Sequence, residues 1–155
     1  MKFVVIPLFL GICVLGFSYC HYETEVIQPQ SNPHWIFKGQ ELDLELALTD
    51  KTREKGLMKH KALKNNEGML FVYKEPKKLS YWNRNVSFDI DLAFFDSQSK
   101  IISLHMLKAM DETNVSAPKL AQYALEMRRG WFDEKNIRVG DSWPALLEEK
   151  WPYVE

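Results

Sequence analysis

Polar side chains set inside otherwise apolar runs are the places to look for chemistry, because burying such a group without a partner is costly. Arg84, Asn85, Asp89 and Asp91 lie within WNRNVSFDIDLAFFD (82–96), and Glu126 lies within YALEMRRG (123–130). In extended backbone Asp89 and Asp91 share a face. Two carboxylates there, with Glu126 on a neighbouring strand, offer acid–base chemistry or ligands for a hard cation such as calcium. The structural alternative pairs Asp91 or Glu126 with Arg84 or Arg128 and leaves Asp89 in water. Asp141, beside Gly140, is one more polar candidate. The aromatics Tyr81, Trp82, Trp131 and Phe132 stand beside Arg and Asn residues. They offer the floor of a shallow pocket for a sugar or peptide, or plain core.

Other chemistries find little support. His21, His34, His60 and His105 form no H-x-H or H-E-x-x-H pattern, and Cys13 and Cys20 form no C-x-x-C, so no metal or other cofactor is expected. There is no G-x-S-x-G, and no cysteine follows Cys20, so nucleophilic catalysis lacks its usual residues. Gly56 and Gly68 belong to no glycine-rich loop and read as backbone devices.

The elements that must position these residues are mostly strands. Leu42, Leu44, Leu46 and Leu48 recur with period two, which predicts a half-buried strand. Thr49 or Asp50 then caps a short helix over 51–58, with Gly56 inside it or near its end. Asn65, Asn66 and Gly68 mark a turn before GMLFVY, which reads as a buried strand. Val86, Phe88, Ile90, Leu92 and Phe94 fall on one face of the next strand, and residues 96–99 turn it into a returning arm over 100–107. Tyr123, Leu125 and Met127 alternate with Ala124 and Glu126 in a further strand. Gly140 and Asp141 make a last turn before a short closing strand around Trp143. The fold class is therefore mainly β, a β-rich α+β domain: a small compact antiparallel sheet or barrel-like domain with one short helix.

The chain of 155 residues holds one such domain, and its 46% hydrophobic content is enough to bury a core. A formal net charge of −1, with no basic stripe, argues against nucleic acid as a partner. The N-terminus is different in kind. Lys2 precedes an uncharged run from Phe3 to Tyr19, which fits the apolar region of a signal peptide over residues 1–20. Cys20 ends that run, and HYETEV follows abruptly. This junction resembles the acceptor site of a bacterial lipoprotein, with Cys20 as the lipidated residue, although bulky Tyr19 fits that pattern poorly. The alternative is an ordinary or retained signal with an incidental cysteine. Residues 21–34, with two prolines and few apolar residues, read as a flexible tether. The globular domain then covers 35–143. A tail over 144–155 carries a short helix at ALLEEKW.

Five blocks of the sequence appear in one order: GLMKHKAL (56–63), EGMLFVY (67–73), WNRNVSFDIDLAFFD (82–96), YALEMRRG (123–130) and I-x-x-G-D (137–141). Together they resemble domain-of-unknown-function family 192 over roughly residues 41–143. The resemblance implies a small β-rich, barrel-like domain with one short helix, often behind a signal peptide, and no assigned reaction. The family usually reads W-M-K-N-T where this chain has Trp82, Asn83, Arg84, Asn85 and Val86, and tends to have proline at the position of Asp89. Arginine for lysine keeps the charge but makes its geometry a planar fork.

The expectation for function is an exported domain of the periplasm or cell envelope, tethered to the membrane by its signal or lipid anchor. Its role would be to bind an envelope ligand or protein without catalysis, through a cleft of Trp82, Arg84, Asn85, Asp91 and Glu126. The alternative is a hydrolase-like enzyme with Asp91 and Glu126 as acid and base.

Overall fold

A computed structural model describes residues 35–151 and 154–155. The expected signal over 1–20, its Cys20 and the tether over 21–34 lie outside the described residues.

The described residues open with a short strand β1 (Trp35–Phe37) and a longer one, β2 (Gln40–Ala47), followed by helix α1 (Asp50–Lys55). Thr49 caps α1 as expected: its side chain accepts from the Thr52 backbone N–H, and the Thr52 hydroxyl completes a capping box. Gly56 ends the helix with φ of 44°, a conformation that favours glycine. Next come β3 (Glu67–Lys77), β4 (Ser80–Tyr81), β5 (Ile90–Phe95), β6 (Ile101–Leu107), β7 (Val115–Ser116) and β8 (Ala121–Arg128). Two single-turn helices, α2 (Trp131–Glu134) and α3 (Ala145–Glu148), close the chain.

Six strands form one sheet in the order β1-β2-β3-β8-β5-β6, and β4 pairs with β7 separately. The domain is β-rich as expected, with two corrections. The sheet is mixed, because β2 and β3 run parallel. The segment between them, containing α1, carries the chain back to the starting end of the sheet, as a parallel pair requires. The sheet is also open, with β1 and β6 as its edges; among the described helices α3 falls in the ALLEEKW segment where a tail helix was expected, and α2 was not expected. At four residues, α2 is too short to show a helical period in the sequence.

β3, β8 and β5 occupy the interior of the sheet and are covered on both faces, which is why they read as nearly continuous apolar runs. On one face Leu70, Val72, Ala93, Phe95, Leu125 and Met127 pack beneath Trp35, Trp131 and Trp143. Trp143 stacks on Phe37 at 4.9 Å, and its indole N–H donates to the Ile36 carbonyl at 2.8 Å. The closing strand expected around Trp143 reduces to one bridge between Lys100 and Ser142. On the opposite face Met69, Phe71, Leu92, Phe94 and Ala124 pack beneath Leu57, Leu79, Tyr81 and Val86.

The strand expected from Val86 onward begins only at Ile90. Residues 82–89 form a loop instead, with Asn85 at φ of 57°. Asn83 holds this loop down. Its side-chain amide donates to the carbonyls of Phe88 and Lys108, both at 2.9 Å.

Candidate functional site

Glu126 lies on β8 directly opposite Met69 of β3 and Leu92 of β5, at the centre of the sheet. Alternation along β8 places it with Ala124, on the face covered by Leu57, Leu79 and Tyr81. Only 4% of the residue is exposed, and no hydrogen-bond donor among the described residues reaches its carboxyl. Burial disfavours the charged form and pushes this carboxyl up to about 8. At neutral pH it is mostly protonated, a neutral O–H donor rather than an anion.

Glu126 belongs to the wall of a cavity of about 640 Å³, a size that suits a small organic ligand. Phe71, Leu57, Met58 and Val86 supply its apolar surface, and Tyr73 and Tyr81 supply hydroxyl groups. The two hydroxyls are hydrogen-bonded at 3.0 Å. Burial, followed by interactions with the Tyr73 hydroxyl, holds the Tyr81 phenol well above its ordinary range, so it stays neutral. The exposed side chains of Lys51, Lys55, Trp82, Arg84 and Asn85 stand at the mouth.

Arg53 also lines this space but is committed to structure. Its guanidinium donates to the carbonyls of Leu48 at 2.7 Å, Val72 at 2.9 Å and Glu155 at 2.9 Å, and pairs with Asp50 at 2.6 Å. It lies over the Tyr73 ring at 4.7 Å, and the Lys77 ammonium lies over the same ring at 4.5 Å.

Trp82, Arg84, Asn85 and Glu126, four of the five residues expected to form one cleft, do line one cavity. Asp91 does not join them. Alternation along β5 puts Asp91 with Ala93 and Phe95, on the opposite face of the sheet from Glu126. The residue is 4% exposed, and its carboxylate pairs with Arg129 at 2.7 Å and accepts from the Gly130 backbone N–H at 2.8 Å. It braces the left-handed turn at Gly130, φ 84°, from which α2 begins. The expected acid–base pair of Asp91 and Glu126 therefore has no shared site. Arg84 grips neither carboxylate in a fork; its nearest ionic neighbour is Glu112 at 3.9 Å. Asp89 accepts from the Ala109 backbone N–H at 2.8 Å, and Asp141 pairs with Lys38 at 2.9 Å, both structural roles. Trp131 and Phe132 are buried core.

Tyr73 and Asn83 escaped the reading of the sequence as site residues, whereas Tyr81 was among the aromatics offered there as a pocket floor. Tyr73 is two residues beyond Phe71 in EGMLFVY, so strand alternation alone puts both on one face. Asn83 is 1% exposed and leaves its side-chain oxygen without a partner beside the cavity. Its replacement of the usual methionine was the available signal. No cluster of metal-binding side chains occurs among the described residues.

Residues 34–144 match the family model DUF192, described as "Uncharacterized ACR", and the chain belongs to that family. Solved structures resemble it as well. One is a Sinorhizobium meliloti 1021 protein provisionally assigned as a transcription regulator, 27% identical, with a TM-score of 0.65 over 66% of this chain and 81% of that one. Another is a protein of unknown function from Novosphingobium aromaticivorans DSM 12444, also 27% identical with a TM-score of 0.65, over 70% of this chain and 79% of that one. No curated protein matches the chain.

Proposed function

We propose that this chain is an exported, membrane-tethered domain of the cell envelope that binds a small ligand in the Glu126 cavity without transforming it. The observation that carries the binding reading is the unpartnered Glu126 carboxyl in the wall of a cavity of about 640 Å³. A carboxyl buried at the centre of a sheet weakens the fold relative to an apolar residue of the same shape. Its presence is explained if a ligand supplies the missing partner. Binding is preferred to hydrolysis because the second carboxylate, Asp91, is engaged on the other face. Export and tethering rest on the N-terminal sequence, with Lys2, the uncharged run to Tyr19 and Cys20. The near-neutral charge gives no reason to carry a nucleic-acid partner over from the Sinorhizobium protein.

The test is a thermal-shift screen of the full chain against mixed small metabolites. A compound that raises the melting temperature of the wild type but not of Glu126→Leu, and is recovered chemically unchanged, is the expected result. Recovery of an altered compound would replace binding with catalysis.

A further inference from the structure

The cavity is electrostatically two-sided, and its two sides restrict what fits. Apart from Arg53, whose guanidinium is already engaged by Asp50 and three backbone oxygens, the cavity's inner wall is neutral at physiological pH. Glu126, Tyr73 and Tyr81 are all hydroxyl-bearing groups there, since burial holds all three protonated. A ligand reaching them meets donors and neutral acceptors, the Arg53 charge beside them being already balanced by Asp50. The mouth is basic. Lys51 and Lys55 are exposed and unpaired among the described residues, and Arg84 has only the 3.9 Å contact to Glu112. Against these three cations the lining offers one exposed carboxylate, Glu54.

Aromatic rings around a carboxyl could otherwise be read as a cage for an ammonium group. That place is already taken. Arg53 and Lys77 lie over the Tyr73 ring at 4.7 and 4.5 Å, and the mouth would repel a further cation. The unpaired cations favour the opposite charge, and the exposed Trp82 ring, 47% accessible at the mouth, gives a planar body a surface to stack on.

Building on the reading of the cavity as a binding site, we propose that it takes a small organic acid. The acid's anionic oxygens meet Lys51, Lys55 and Arg84, and a neutral hydroxyl or carbonyl at its other end meets Glu126. Carboxylate and phosphate share this chemistry, and both belong in the test.

Four probes of one shape separate the possibilities: 3-hydroxybenzoate, 3-hydroxyphenyl phosphate, 3-hydroxybenzamide and 3-hydroxybenzylamine. Each is titrated into the full chain while amide and indole resonances are followed by NMR. The expected result is that one or both acids shift the signals of Trp82, Arg84 and Glu126. Such an acid should bind roughly tenfold or more tightly than the amide and the amine, which corresponds to about 1.4 kcal/mol. The double variant Lys55→Ala/Arg84→Ala, at two exposed positions that the fold does not need, should remove most of that preference, and added salt should weaken it. Which acid binds better identifies the anionic group. Equal binding of all four probes, or preference for the amine, overturns the acid proposal but keeps the cavity as a binding site. Absence of any shift at these residues with all four probes overturns both.

Discussion

Glu126 is expected to dominate how stability responds to pH. Its folded-state value of about 8 lies above the ordinary 4.5, so between those values the folded protein binds the additional proton. The unfolded chain ionises first, and stability falls as pH rises from about 4.5 to about 8, by an amount on the order of a few kcal/mol in total. Glu126→Gln removes this titration. Denaturant unfolding of the two proteins should show them diverging with pH, with the variant gaining relative to wild type until about pH 8 and no further. A constant difference across that range would mean the carboxyl is not protonated in the native state. The charged and titratable groups facing Glu126 are Tyr73 on β3, Tyr81 on β4 and Arg53 on α1, with His105 one strand further out across Leu92. Burial holds His105 below its ordinary value, so its own contribution runs the other way at lower pH. Comparing the variant with wild type cancels it. Asp91 makes the contrasting case. Asp91→Ala should cost about 2–3 kcal/mol, the worth of its charged hydrogen bonds to Arg129 and Gly130, while leaving probe binding at the cavity unchanged.

At the scale of elements, β5 is the test of packing. Leu92 is fully buried between Glu126 on β8 and His105 on β6. Leu92→Ala should cost on the order of 2–5 kcal/mol in equilibrium unfolding. A loss below about 1 kcal/mol would make β5 peripheral. Most strands were legible in the sequence because their signals are local: the alternation of Leu125 with Glu126, and the apolar run through Leu70 and Phe71. The capping of α1 was legible for the same reason, since Thr49 and Thr52 are neighbours. Register was not legible. Nothing in the order of residues says that Glu126 faces Leu92 rather than Asp91, yet a shift of one residue moves a side chain to the other face. That one relation decided which carboxyl entered the site. The alternation from Val86 to Phe88 also misled, because in the loop those side chains are directed by Asn83 and the left-handed Asn85 rather than by a pleat.

At the scale of the whole molecule, the described domain accounts for the family blocks. EGMLFVY and YALEMRRG carry β3 and β8, the WNRNVSFDIDLAFFD block supplies part of the cavity mouth and β5, and I-x-x-G-D makes the turn at Gly140. The proposed membrane attachment of that domain has its own measurement. Mass spectrometry of the membrane fraction should find Cys20 as the acylated first residue, and Cys20→Ala should abolish that processing. A mature N-terminus elsewhere, without lipid, would end the lipoprotein proposal and leave the cavity untouched.

The position of β8 in the sheet has a consequence for the order in which the protein is made. β8 is the last of the described strands to be synthesised, yet it sits between β3 and β5, which are not hydrogen-bonded to each other. Until residues 121–128 leave the ribosome, two apolar strands each present an unsatisfied edge, the situation in which partly made chains stick to one another. A ribosome-stalled fragment ending before Ala121 would therefore carry the cavity mouth but neither a continuous six-stranded sheet nor Glu126, and the nascent chain would complete its sheet and its binding wall in a single late step.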